Sequence, residues 1–241
     1  MSSKHYTIMK FIETESIREI MKGIIFTGGL GPKPKKCRKL AEGCSLIAAA
    51  DSGLMLAEAA GIVPSIIIGD MDSLDDPRRL EKYPPETVCR FSHDKDFTDT
   101  ELALDYLFEK GCDEILIAGG GGGRTDHLLA IYSLFEREKF PVRWVTDKED
   151  IYCLTPGKEF SSSVSVSSII SVFPLGIGPW EAESSGLKWP LNDLDWKRGF
   201  FGLCNRIDQK DQNSAGSFSI HSIKGRFLII MTSGEDNGGN N

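Results

Sequence analysis

The sequence feature that most constrains this chain is a rhythm of short aliphatic runs separated by helical patterns. The runs are Ile24-Ile25-Phe26, Leu46-Ile47-Ala48, Ile66-Ile67-Ile68, Ile115-Leu116-Ile117 and Val142-Arg143-Trp144-Val145. Each is short and nearly continuous in apolar residues, as strands covered on both faces must be. Helical patterns lie between them over 35–42, 53–60, 99–110 and 126–139. In the third, Thr98-x-x-Glu101 reads as a capping box, and Leu102, Leu104, Tyr106, Leu107 and Phe108 supply an apolar surface. This alternation predicts an open, mostly parallel α/β sheet of Rossmann-like type.

After about Pro156 the rhythm changes. Ser161 to Ser168 alternates polar and apolar residues, and Ile169–Phe173, Phe200-Phe201, Ser217–Ile223 and Phe227–Ile230 follow between Gly, Pro and Asn. The serine stretch fits a flexible linker, but valines at period two favour a strand. Short strands punctuated by turns predict a C-terminal antiparallel β-sandwich. The expected division is an α/β unit over 23–155 and a sandwich over 156–233, with 1–22 and 234–241 poorly ordered.

The chain has 28 Lys+Arg against 35 Asp+Glu, a formal charge of −7. That balance argues against a general nucleic-acid or anionic-membrane binder. The six cysteines form no CxxC pair and have no zinc-type His spacing. No apolar run approaches the roughly 18 residues of a membrane span, and Glu13, Glu15 and Glu19 stand where a signal peptide needs an apolar core. The expected location is cytoplasmic.

Open parallel sheets bind ligands outside the carboxyl ends of their strands. The unusual loop residues of this chain fall there. Asp51-Ser52-Gly53 follows the second run and Gly69-Asp70-Met71-Asp72-Ser73 the third. His93 to Asp99 follows a shorter candidate strand near 87–91, and Gly119–Gly123 with Arg124-Thr125-Asp126-His127 follows the run at 115–117. Asp70-x-Asp72 places two carboxylates where they can share a hard cation; a turn with local Asp and Ser hydrogen bonds explains the same residues. Asp96 and Asp99 add acidic groups at another strand end, and Asp99 also suits the first turn of a helix. The glycine run allows close backbone approach to a phosphate, with Arg124 as a charge-assisted fork. Asp126 could orient a ligand or Arg124, and His127 could be a base or a packed helix residue. No Walker-type G-x-x-x-x-G-K-[ST] and no G-x-G-x-x-G is present.

The ordered set Ala50-Asp51-Ser52-Gly53, Ile68 to Ser73, Lys95 to Leu104 and Gly122 to His127 resembles the thiamine pyrophosphokinase family. Ser185-Gly186-Leu187-Lys188-Trp189-Pro190-Leu191 and Cys204-Asn205 continue the match. The resemblance implies ATP-dependent pyrophosphoryl transfer to the hydroxyl of thiamine, giving thiamine diphosphate and AMP. It implies an α/β catalytic domain, a thiamine-binding sandwich, and a homodimer with active sites at the interface. It maps magnesium onto Asp70, Asp72 and Asp99, and the catalytic role onto these with Arg124 and Asp126. It also places Asp51, Ser73, Lys95, Asp96, Thr98, Gly122 and Gly123 near nucleotide or phosphates. Trp189, Cys204 and Asn205 fall on the thiamine side. Cys204 stands where the family pattern is Ser, and Met71 where Phe is commoner, a change that keeps an apolar packing role.

Charge arithmetic supports the magnesium expectation. Each like-charge pair at ~4 Å costs about 4 kcal/mol at an effective dielectric near 20, so carboxylates cannot receive a triphosphate unaided. Two other readings remain open at this level: a magnesium-dependent phosphoryl or nucleotidyl transferase acting on another alcohol, and a non-catalytic nucleotide or thiamine sensor.

Overall fold

The computed structural model describes residues 19–92, 94–192, 194–208 and 215–232. The expectations for most of 1–22 and for 234–241 therefore lie outside the described residues, as does His93. Met21 is described, its N–H donating to Asp113 Oδ2 at 2.9 Å, and Lys22 opens the first strand.

The parallel half runs β1 (Lys22–Thr27), α1 (Pro34–Ala41), β2 (Leu46–Ala50), α2 (Gly53–Ala59), β3 (Ile66–Gly69), β4 (Val88–Arg90), α3 (Asp99–Glu109), β5 (Glu114–Ala118), α4 (Thr125–Leu134) and β6 (Arg143–Val145). Strands β1–β6 pair in parallel in the order β6-β5-β1-β2-β3-β4. Ile25, Ile68, Ile115 and Ile117 pack with Ala103, Leu104 and Leu107 of α3 in one core cluster. Ile24 and Phe26, the neighbours in the alternating pleat, join Leu40 of α1 and Ala57 of α2 in another. Two helical layers on one sheet account for the near-continuous apolar runs.

The chain then turns back as β7 (Glu149–Leu154), which pairs antiparallel with β6. Thr146 Oγ1 closes the turn by accepting from the N–H groups of Lys148 and Glu149. The remaining strands are β8 (Glu159–Ser165), β9 (Ile170–Leu175), β10 (Glu181–Ser185), β11 (Gly202–Asn205), β12 (Ala215–Lys224) and β13 (Arg226–Thr232). Strands β7, β13, β9 and β11 extend the parallel sheet, giving the order β11-β9-β13-β7-β6-β5-β1-β2-β3-β4. Strands β10-β12-β8 form a second, antiparallel sheet. Phe218 and Ile220 of the small sheet pack against Ile170, Val172, Phe227 and Ile229 of the large one, which makes the C-terminal half a sandwich.

The serine stretch is strand β8, in register with β12 from Glu159↔His221 to Ser165↔Ala215. Three expectations shift. Helix α4 stops at Leu134 rather than 139, where Arg226 of β13 reaches across and donates to the carbonyls of Phe135 and Arg137 at 2.7 and 3.0 Å. These contacts satisfy carbonyls beyond the helix end, so no further turn is needed. The strand expected at Phe200-Phe201 begins after them, at Gly202, and those two phenylalanines stay exposed. Strands β7 and β10, whose sequences EDIYCL and EAESS carry few consecutive aliphatic residues, escaped the apolar-run criterion.

Candidate active site

The carboxyl ends of β1, β2, β3 and β5 converge on a cleft of about 400 Å³. Of the residues expected near nucleotide, phosphate or metal, Asp51, Asp70, Ser73, Lys95, Thr98, Asp99, Gly122, Gly123 and Arg124 line it. Asp96 and Asp126 are exposed and are not among its lining residues. Asp72 is also exposed, but it joins the cleft's acidic group, as described next.

Strand β3 ends at Gly69, and the turn that follows is built locally. The Asp72 N–H donates to Asp70 Oδ1 at 3.2 Å, and Ser73 Oγ donates to Asp72 Oδ1 at 2.9 Å. The turn reading of these residues therefore holds. Met71, 4% exposed, packs with Leu74 and Leu80 and anchors the loop from below, the packing role expected of it. Further on, Arg79 pairs with Asp75 and with Glu58 of α2, tying the loop to the helix layer.

One carboxylate oxygen each from Asp51, Asp70 and Asp72 lies within 4.8 Å of the others. An all-oxygen donor set of this kind suits a hard cation such as Mg²⁺. Asp51 Oδ1 is buried and has no hydrogen-bond partner among the described residues, which leaves it a lone pair for such an ion. The family resemblance groups Asp99, rather than Asp51, with the pair. In the structure Asp99 Oδ1 lies 2.8 Å from Lys95 Nζ, a close but poorly aligned ion pair, and Lys95 also lies 3.9 Å from Asp70. Burial raises the Asp99 carboxyl above the ordinary carboxylate range; Lys95 opposes the shift, and the charges of Asp51 and Asp70 reinforce it.

The convergence depends on a missing side chain. A Cβ on Gly69 would lie 3.1 Å from Asp99 Cγ and 3.2 Å from Asp51 Cβ, and φ is +153° there. Asp51 and Met71 take left-handed backbone conformations at φ +46° and +67°, strained for non-glycine residues and concentrated at functional sites.

The glycine loop forms the opposite wall. Gly119, Gly120, Gly122 and Gly123 all have φ between +64° and +110°, which L side chains reach only at a cost. Leu30 and Gly121 exchange two backbone hydrogen bonds, so the loop is stitched to the segment after β1. That segment supplies Gly28 and Gly29 to the cleft, which sequence reasoning missed. The signal was present, because Gly28-Gly29 follows an apolar run as the other four loops do.

Arg124 precedes α4 and forks onto Asp126 at 3.1 and 2.5 Å. Both are exposed, and the Arg124 guanidinium holds the Asp126 carboxyl below its usual range. Asp126 thus orients Arg124, and His127 lines the cleft beside them. Thr98 and Glu101 form the expected capping box, at 3.2 and 2.8 Å.

Trp189, Cys204 and Asn205 are elsewhere, at the β11 edge of the large sheet. Eight strand steps separate β11 from β3, roughly 38 Å at ~4.8 Å per step. Trp189 is 53% exposed, with Lys188 Nζ 4.8 Å from its ring centroid. Cys204 is exposed at φ +56°, and Asn205 is buried.

Comparison with known proteins matches residues 37–144 to the model of the thiamin pyrophosphokinase catalytic domain. A thiamine pyrophosphokinase of Bacillus subtilis is 33% identical over 187 residues, covering 76% of this chain and 85% of that protein. A crystal structure of thiamine pyrophosphokinase from the same organism superposes with a TM-score of 0.71 at 27% identity, covering 89% of this chain and 99% of the other. The thiamin pyrophosphokinase structure from Geobacillus thermodenitrificans gives 0.66 at 25% identity, over 90% and 99%. With a third of its aligned residues shared along most of a relative's length, the chain is an enzyme of the thiamine pyrophosphokinase family.

Proposed function

We propose that the chain transfers a pyrophosphoryl group from ATP to the hydroxyl of thiamine, forming thiamine diphosphate and AMP. The observation that carries this reading is the gathering of Asp51, Asp70 and Asp72 oxygens opposite a glycine loop in one cleft. The alcohol oxygen attacks the β-phosphorus as the bond from that phosphorus to the α–β bridging oxygen breaks. AMP takes up the bridging oxygen, and the alcohol proton passes to solvent or a nearby carboxylate.

Asp51, Asp70 and Asp72 would hold Mg²⁺, with Asp99 beside them. Bound Mg²⁺ would offset phosphate charge and favour in-line displacement. Gly122 and Gly123 bring backbone close to the phosphates, and Arg124, oriented by Asp126, supplies a fork to their oxygens. Lys95 balances the carboxylates before the nucleotide arrives. Ser73 and Thr98 line the nucleotide side, and Asp96 is exposed on the loop that carries Lys95.

Residues 23–155 carry the nucleotide site in this reading, and 156–233 carry the thiamine site. Trp189 offers an exposed aromatic face to the cationic thiazolium or to the pyrimidine of thiamine. Its separation from the cleft within one chain supports a homodimer, in which the Trp189 edge of one protomer closes the cleft of its partner. Exposed Leu30, Phe97 and Leu129 on the cleft side, and Phe200, Phe201 and Leu203 at the other edge, supply apolar surface for such a contact. Six unpaired cysteines support a reducing, cytoplasmic setting. No helix among the described residues is long and apolar enough to cross a membrane.

Purified protein given ATP, Mg²⁺ and thiamine should release AMP and thiamine diphosphate in equal amounts. Turnover of another alcohol in a substrate panel, with none of thiamine, would redirect the assignment. Tight ligand binding with no turnover of any alcohol would make the chain a sensor.

A further inference from the structure

Asn205 matches the thiamine side by sequence, yet its amide oxygen and one of its two N–H donors are already engaged. Oδ1 accepts from the N–H of Trp189 at 3.2 Å and of Arg206 at 2.9 Å, while Nδ2 donates to the Trp189 carbonyl at 2.6 Å. The residue is 4% exposed. Only this orientation of the amide satisfies all three contacts, since a flipped group would set NH₂ against two N–H donors.

The neighbouring backbone explains why a side chain is used. Residues 186–188 run antiparallel to 206–208, with a Leu187↔Ile207 bridge and the Lys188 N–H donating to the Arg206 carbonyl at 2.8 Å. Pro190 follows Trp189 and has no N–H, so the ladder cannot continue. Asn205 takes over where it stops, binding both polar groups of the Trp189 backbone while the ring stays 53% exposed. The aim of Asn205 comes from a register shift between Gly202 and Asn205, where Cys204 adopts φ +56° and its N–H donates to Ser171 Oγ at 3.2 Å. Bulges of this kind redirect a side chain relative to the sheet.

We propose that Asn205 is a positioning residue: it fixes the pose of the Trp189 ring and does not itself touch thiamine. Cys204 contributes the turn that sends Asn205 inward. This rests on the reading of Trp189 as the thiamine platform.

The test is a double-mutant cycle read by equilibrium titration of thiamine, with a non-hydrolysable ATP analogue and Mg²⁺ present, on Asn205→Asp, Trp189→Ala and the double variant. Asn205→Asp replaces the Nδ2 donor with an oxygen facing the Trp189 carbonyl. It should weaken thiamine binding about tenfold and leave affinity for the ATP analogue within about twofold. In the Trp189→Ala background the same change should add less than about twofold. A full tenfold loss that persists without the Trp189 ring would overturn the proposal, because Asn205 would then contact thiamine directly. Unchanged thiamine affinity in Asn205→Asp would also overturn it. Normal thiamine binding by Trp189→Ala would remove the platform reading and this proposal with it. Thermal unfolding checks the fold, and Asn205→Ser runs the same cycle if the Asp variant does not fold.

Discussion

The two halves of the large sheet present functional groups by different means. In the parallel half, every strand ends on the same side, so topology alone brings Asp51, Asp70, Lys95 and the glycine loop together from distant parts of the sequence. In the antiparallel half, successive strand ends alternate sides and topology gathers nothing. Trp189 is instead held by one buried amide from a neighbouring strand. One site is built by the convergence of several strand ends, the other by a single local brace.

The largest expected effect tests the convergent side. Asp72→Asn should lower turnover by at least about 10³-fold while the thermal midpoint moves by only a few degrees; near-normal turnover would take Asp72 out of the metal site. Next is backbone tolerance. A Cβ on Gly119 would lie 2.1 Å from the Thr27 carbonyl oxygen, and φ there is +110°, so Gly119→Ala should cost about 3 kcal/mol in chemical unfolding. Gly157, in the antiparallel half at φ +74°, has nothing within 4 Å of its added Cβ, and Gly157→Ala should cost only about 1 kcal/mol. Equal costs would show that the approach of Gly119 to the Thr27 carbonyl adds nothing to the strain of a positive φ.

Mixing inactive chains tests whether the edges meet between protomers. Asp72→Asn and Trp189→Ala chains, unfolded and refolded together, should recover about a quarter of full activity, since half of the dimers are mixed and each carries one intact site. No recovery, with mixed dimers present, would place both edges of a site in one chain. The smallest effect is chemical. Burial pushes the Cys153 thiol up to about 12, so iodoacetamide at pH 8 should spare it and label exposed Cys204. The labelled chain should keep its affinity for an ATP analogue. Loss of that affinity would tie the Trp189 edge to the nucleotide.

The same contrast explains what was legible in the sequence. Strands β1, β2, β3 and β5 are buried on both faces, so their apolar runs mark them, and the strand-end rule then points to the loops. Asp70, Asp72, Arg124 and the glycine run followed from that rule. Asp51 as a partner of the Asp70–Asp72 pair did not, because spacing along the chain says nothing about which turn leans toward which. Strands β7 and β10 were hidden because their polar residues sit at exposed or half-exposed positions. The role of Asn205 was hidden for a related reason: an amide that binds a ligand and one that braces a backbone are the same letter.

The ladder from β11 to β4 is unbroken, and its consequence is metrical. The interval between the Trp189 edge and the acidic cleft is set in whole strand widths, like rungs on a rule, and small loop changes leave it untouched. An insertion in the turn after β8 would alter neither the cleft nor the Trp189 edge. Gaining or losing a strand between β6 and β9 would reset the gauge by ~4.8 Å.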